Sequence, residues 1–132
     1  MKKSRPFKKK QFKMRYFAFD FDGVISHYDG DWNRKTMGRP IAEVVKAVKM
    51  LRMHGHKIII HSSRDTASIK KYCKKFLIPY DYINENPDRI VDNLGKPAAS
   101  VYVDDRAYCY KNQKAEKLVK DMIEFQPYWK KR

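Results

Sequence analysis

Residues Arg15–Phe21 read RYFAFDF, and Asp22, Gly23 and Val24 follow directly. Aromatic and apolar residues packed into so short a span suit a buried strand. The strand closes on Asp20 and Asp22, which a period of two projects to the same side. Two neighbouring carboxylates repel unless a cation or a shared proton relieves them. A hard divalent cation such as Mg2+ is the natural remedy, because it prefers oxygen ligands.

Outward from this strand, residues 23–39 carry Gly23, Gly30 and Gly38 among polar residues and read as a loop. Pro40 suits the first position of a helix over 40–54. There Ile41, Val44, Val45, Val48 and Leu51 recur at amphipathic spacing, and Gly55 is a left-handed cap candidate. Lys57–His61 (KIIIH) is β-branched and predicts a buried strand. Asp65 or Thr66 caps the next helix, with Ile69, Tyr72, Cys73 and Phe76 on one arc. Lys70, Lys71, Lys74 and Lys75 fall on the opposite arc and read as a solvated face rather than a binding site. Pro79 ends that helix, Asp81–Ile83 is a short strand, and residues 84–99 are loop or short helix. Ser100–Val103 (SVYV) reads as another buried strand. Ala115, Leu118, Val119, Met122 and Ile123 mark a final helix that stops before Pro127. Strands alternating with amphipathic helices predict a doubly wound, mostly parallel, Rossmann-like α/β sheet.

Ligands of such sheets bind beyond the carboxyl ends of the strands. The last strand delivers Asp104, Asp105 and Arg106 to that edge, and the second delivers His61, Ser62, Ser63 and Arg64. Each group has an ordinary structural role as a turn or helix cap. Their convergence from three strands is what favours a site.

At these residues the chain resembles the haloacid dehalogenase superfamily of phosphohydrolases. FDFDGV at Phe19–Val24 resembles the first motif, and IIIHS at Ile58–Ser62 the second. Lys96 stands where the third-motif lysine would, and VYVDD at Val101–Asp105 resembles the fourth motif. The tract from His61 to Arg106 also looks like small, capless members from bacteria and phages. The resemblance implies a Mg2+-dependent phosphatase in which Asp20 attacks phosphorus and forms an aspartyl-phosphate. Asp22 would protonate the leaving oxygen and then activate water. Mg2+ would be held by the Asp20 carboxylate, the Asp22 backbone carbonyl and Asp104, with Asp105 in support. Ser62 and Lys96 would hold the phosphoryl oxygens. Ser63 is the alternative to Ser62, and Arg64 or Arg106 the alternative to Lys96. His61 reads as structural rather than as a base. A response-regulator receiver is set aside, because Tyr82, Ile83 and Asn84 offer no phosphoacceptor at the third strand.

The resemblance also implies a minimal cap, since only about residues 26–39 are left for a flap; its Tyr28 and Trp32 read either as covering or stacking on a substrate or as aromatics that pack the loop on itself. An open site admits large substrates. The charge fits that reading. Of a net +15 over 132 residues, +8 lies in residues 1–15 and +3 in residues 130–132, leaving +4 between them. Residues 1–14 therefore read as a basic arm able to contact nucleic acid, 15–126 as the domain, and 127–132 as a basic tail. The aromatics of the Phe125–Trp129 segment (FQPYW) read as core or interface packing. A hydrophobic content of 42% argues against disorder. With no apolar run of about 18 residues and no apolar signal region, a membrane span is excluded and a cytoplasmic location expected. Cys73 and Cys109 form no disulfide framework and read as small apolar side chains. The expected activity is phosphomonoester hydrolysis, with nucleic-acid ends or nucleotides as candidate substrates. The alternatives are a nucleic-acid-binding or assembly protein with little turnover, and a small sugar-phosphate phosphatase.

Overall fold

A computed structural model describes residues 13–89 and 95–130. Residues 1–12, most of the expected basic arm, lie outside the described residues. In chain order the elements are β1 (Tyr16–Asp20), α1 (Ala42–Met53), β2 (Lys57–His61), α2 (Thr66–Phe76), β3 (Tyr82–Ile83), β4 (Val101–Val103) and α3 (Ala115–Glu124). The strands form one parallel sheet in the order β3-β2-β1-β4. From β1 the chain winds one way to β2 and β3, then returns across the sheet to β4 on the other side. That reversal makes a crevice beyond β1 and β4, the ligand position of a Rossmann-like fold.

β1 and β2 are central and buried, which is why aromatic and β-branched residues fill them without polar alternation. Ile58, Ile59 and Ile60 are all fully buried. Phe19, Ile58 and Ile60 pack with Val48 of α1 and with Ile69, Tyr72 and Cys73 of α2, so both helices cover the same face. The opposite face buries Tyr16, Ala18 and Ile59, with Tyr82 and Ala99 packed against them. The segment returning to β4 helps close it: Asn86 Nδ2 donates to Ala98 O at 2.8 Å, and Ser100 N to Tyr16 O at 2.8 Å.

Several boundaries differ from the sequence reading for local reasons. Pro40 pairs with Ser26 in an antiparallel bridge, so α1 begins two residues later, with Ile41 as its N-cap. Asp65 caps α2 by accepting from Ser68 N at 2.9 Å. Leu77 then leaves the helix in the left-handed region, and Ile78 N donates to Cys73 O. β4 is an edge strand, with Val101 and Val103 half-buried and Tyr102 exposed, not the buried strand expected. α3 forms where its periodicity places it, yet none of its residues is buried, and Ile123 is 78% exposed. Cys73 is buried and Cys109 exposed, so only the first behaves as a core residue. No helix among the described residues is long and apolar enough to cross a membrane.

Candidate active site

Register alone assembles the site. Asp20 pairs with His61, so Ser62 stands one step beyond it, just past the end of β2; Phe19 pairs with Val103, so Asp104 follows the end of β4 as Asp20 follows Phe19. The resulting cleft, about 490 Å³, is lined by Asp20, Asp22, Ser62, Ser63, Asp104 and Asp105, with Tyr28, Trp32 and Arg106 at its sides. Asp20, Asp104 and Asp105 each offer an oxygen, and these atoms lie within 4.8 Å of one another. Burial, then the adjoining Asp105 and Asp104, push the Asp20 carboxyl up to about 8 against the pull of the Phe21 N–H. One oxygen of this group, Asp105 Oδ1, is buried without a hydrogen-bond partner among the described residues. An all-oxygen donor set, mutual repulsion and an unsatisfied buried oxygen together fit a hard divalent cation.

The Asp22 carboxylate is not part of that cluster. It faces Arg64, which is only 5% exposed despite its charge. Arg64 Nε reaches Asp22 Oδ2 at 2.8 Å and Nη2 reaches Oδ1 at 2.9 Å, a two-pronged ion pair. The remaining donors go to the flap, with Nη1 to Asn33 O at 2.8 Å and Nη2 to Thr36 O at 3.4 Å, while Trp32 lies 4.7 Å from the guanidinium. The Asp20–Asp22 repulsion read from sequence is therefore answered separately at each residue. Arg64 compensates Asp22, and the acid cluster around Asp20 awaits a cation or proton. With its donors committed this way, Arg64 orients Asp22 and the flap.

The other candidate residues are placed as follows. Ser62 Oγ accepts from Arg64 N at 3.0 Å, and Ser62 N donates to Asn84 Oδ1 at 2.8 Å; Ser62 and Ser63 both line the cleft. Lys96 is not among the residues lining the cleft, and its Nζ sits 4.8 Å from the Tyr102 ring centre. Arg106 does line it. His61 meets Tyr102 edge-on at 6.1 Å, and burial lowers its pKa. Trp129, read from sequence as one of the packing aromatics of FQPYW, also reaches the cleft: its Nε1 donates to Asp105 Oδ2 at 2.5 Å. No spacing signal marks it, because it lies far along the chain from every motif.

The fold and site define a Rossmann-like α/β domain with an acidic cleft at the carboxyl edge of a parallel sheet. Among solved structures, the chain is similar to a conserved protein from Bacteroides thetaiotaomicron, with a TM-score of 0.59 and 22% identity over 85% of this chain and 91% of that one. That likeness concerns the fold. It is also similar, with a TM-score of 0.46 and 23% identity, to a chain in the structure of the Pnkp1/Rnl/Hen1 complex, over 63% of this chain and 32% of that one. No family model and no curated protein matches the sequence.

Proposed function

We propose that the protein is a Mg2+-dependent phosphomonoester hydrolase working through an aspartyl-phosphate, with phosphorylated nucleic-acid ends or nucleotides as substrates. The observation that carries this reading is the division of four carboxylates into two roles. Asp20, Asp104 and Asp105 converge as a cation-binding set, while Asp22 is held apart by Arg64. The haloacid dehalogenase resemblance assigns the chemistry to those same positions.

Asp20, as the carboxylate, attacks phosphorus in line as the bond to the leaving oxygen breaks. The resemblance gives Asp22 the transfer of a proton to that oxygen, which requires Asp22 to leave its ion pair with Arg64 and take up a proton first. Asp22 then takes a proton from water, which attacks the acyl phosphate and returns Asp20 as a carboxylate with inorganic phosphate. Asp20, Asp104 and Asp105 would hold Mg2+, which when bound would supply electrostatic relief for Asp20 and for the phosphoryl oxygens. Ser62 or Ser63 orients one of those oxygens, and Arg106, which lines the cleft, takes the part that the resemblance gives to Lys96.

A polyanionic substrate is favoured by the surface next to the cleft. Lys35, Lys71 and Lys75 line a groove between the flap and α2, floored by Met37, Tyr72 and Phe76. Thr36 and Met37 line both this groove and the pocket that holds Asp22 and Arg64, so the two adjoin at the flap. The test is a panel of 3′- and 5′-phosphorylated oligonucleotides, nucleotides, sugar phosphates and an aryl phosphate, with Mg2+ or EDTA. Hydrolysis that survives EDTA or Asp20→Asn overturns the mechanism. A preference for sugar phosphates overturns the substrate assignment alone.

A further inference from the structure

The sheet edge is open by topology, yet one segment from outside the sheet reaches into it. After α3 the chain turns at Pro127 and brings Tyr128 and Trp129 back to the first motif. Tyr128 OH donates to Gly23 O at 2.6 Å, across 105 residues of sequence. The Trp129 ring meets Tyr28 edge-on at 4.8 Å, and the Arg106 guanidinium lies 5.2 Å from its centre. Two loop glycines make room for it. A Cβ on Gly30 would come within 2.9 Å of Trp129 Cζ3, and one on Gly23 would come within 3.1 Å of Trp129 Nε1 and overlap the Asp105 carboxylate. Both glycines have positive φ, so their backbone shape and the space over them suit glycine alone.

The indole N–H is aimed at the candidate cation site. It bonds one oxygen of Asp105, Oδ2, and leaves Oδ1 buried without a hydrogen-bond partner among the described residues. A carboxylate tethered through one oxygen is fixed in rotation, and the other oxygen is presented for coordination. Outer donors of this kind orient ligands in known metal centres. The geometry points to Trp129 as a positioning residue of the divalent-cation site. It holds Asp105 in its ligating orientation, and Tyr128 anchors the segment to the turn that carries Asp20 and Asp22. This rests on the proposed metal dependence. It adds that a segment distant from the motifs completes the site in place of a cap.

The test is cation binding rather than turnover. Isothermal titration with Mg2+ and Mn2+ on the full chain should show one site that Asp105→Asn abolishes. Trp129→Phe keeps an aromatic ring but removes the donor, and should weaken binding about 10-fold or more. A second readout needs no change at Trp129. In a Trp32→Phe background only Trp129 emits, and its fluorescence should follow the same titration curve. Unchanged affinity in Trp129→Phe overturns the proposal, and so does emission that ignores a cation calorimetry shows to be bound. If the wild-type protein binds neither cation, the metal dependence fails and this inference fails with it.

Discussion

Arg64 is a buried cation whose donors are divided between a carboxylate and the flap carbonyls, so its substitutions separate charge from geometry. Arg64→Lys keeps the charge and loses the fork, leaving Asp22 free to rotate. The expected result is a fall of about 100-fold in kcat with KM for an aryl phosphate little changed, as steady-state kinetics will show. Asp22→Ala strips the partner from a buried guanidinium and should destabilise the fold by about 3–5 kcal/mol in urea denaturation. Asp20 gives a pH signature. Its folded pKa, about 8, lies above the ordinary 3.8, so the folded state keeps a proton that the unfolded chain has released. The stability this contributes is full at acid pH, falls as pH rises from about 4 to 8, and is gone above that. In EDTA, the Tm of the wild type relative to Asp20→Asn should therefore drop between about pH 5 and pH 8. Saturating Mg2+ should suppress the drop, because the cation replaces the proton.

Elements differ in how firmly the core holds them. Ile58→Ala, at a fully buried position of β2, should cost about 2–5 kcal/mol in chemical denaturation. Ile123→Asp, on the exposed face of α3, should change stability by less than about 0.5 kcal/mol. The contrast explains what could be read in advance. KIIIH reads as a buried strand because every side chain in it is apolar and β-branched between two polar ends. The apolar period of α3 specifies a helix but says nothing of what covers it. Asp20, Ser62 and Asp104 were legible because each ends a strand of a parallel sheet, where register brings neighbours level. Arg64 was visible only as a charge next to them, since its tie to Asp22 depends on how residues 22–40 fold back. Trp129 was legible as a packing aromatic, which it is against Tyr28, but not as a partner of Asp105. Its role exists only once Gly23, Gly30 and Asp105 have been brought together.

At the scale of the whole molecule, the charge divides by location. The cleft is acidic, and the groove between the flap and α2 is basic at Lys35, Lys71 and Lys75. The four lysines of α2 read from sequence as one solvated face are thus not equivalent, because Lys71 and Lys75 line that groove. Reversing Lys35, Lys71 and Lys75 to Glu should raise KM for phosphorylated oligonucleotides and flatten its salt dependence, leaving aryl phosphate kinetics unchanged. Equal effects on both substrates would remove the groove from the substrate path. The long reach of the Tyr128–Gly23 bond also has a consequence during synthesis. A chain made from its N-terminus exposes the Asp20–Gly23 turn early, while Asp104, Asp105 and Trp129 are still to come. The nascent protein can thus hold Asp20 well before it can hold a cation beside it. The affinity of the proposed site for a cation should reach its full value only when translation has passed Trp129, so an unfinished chain should hold the cation less tightly than the finished one.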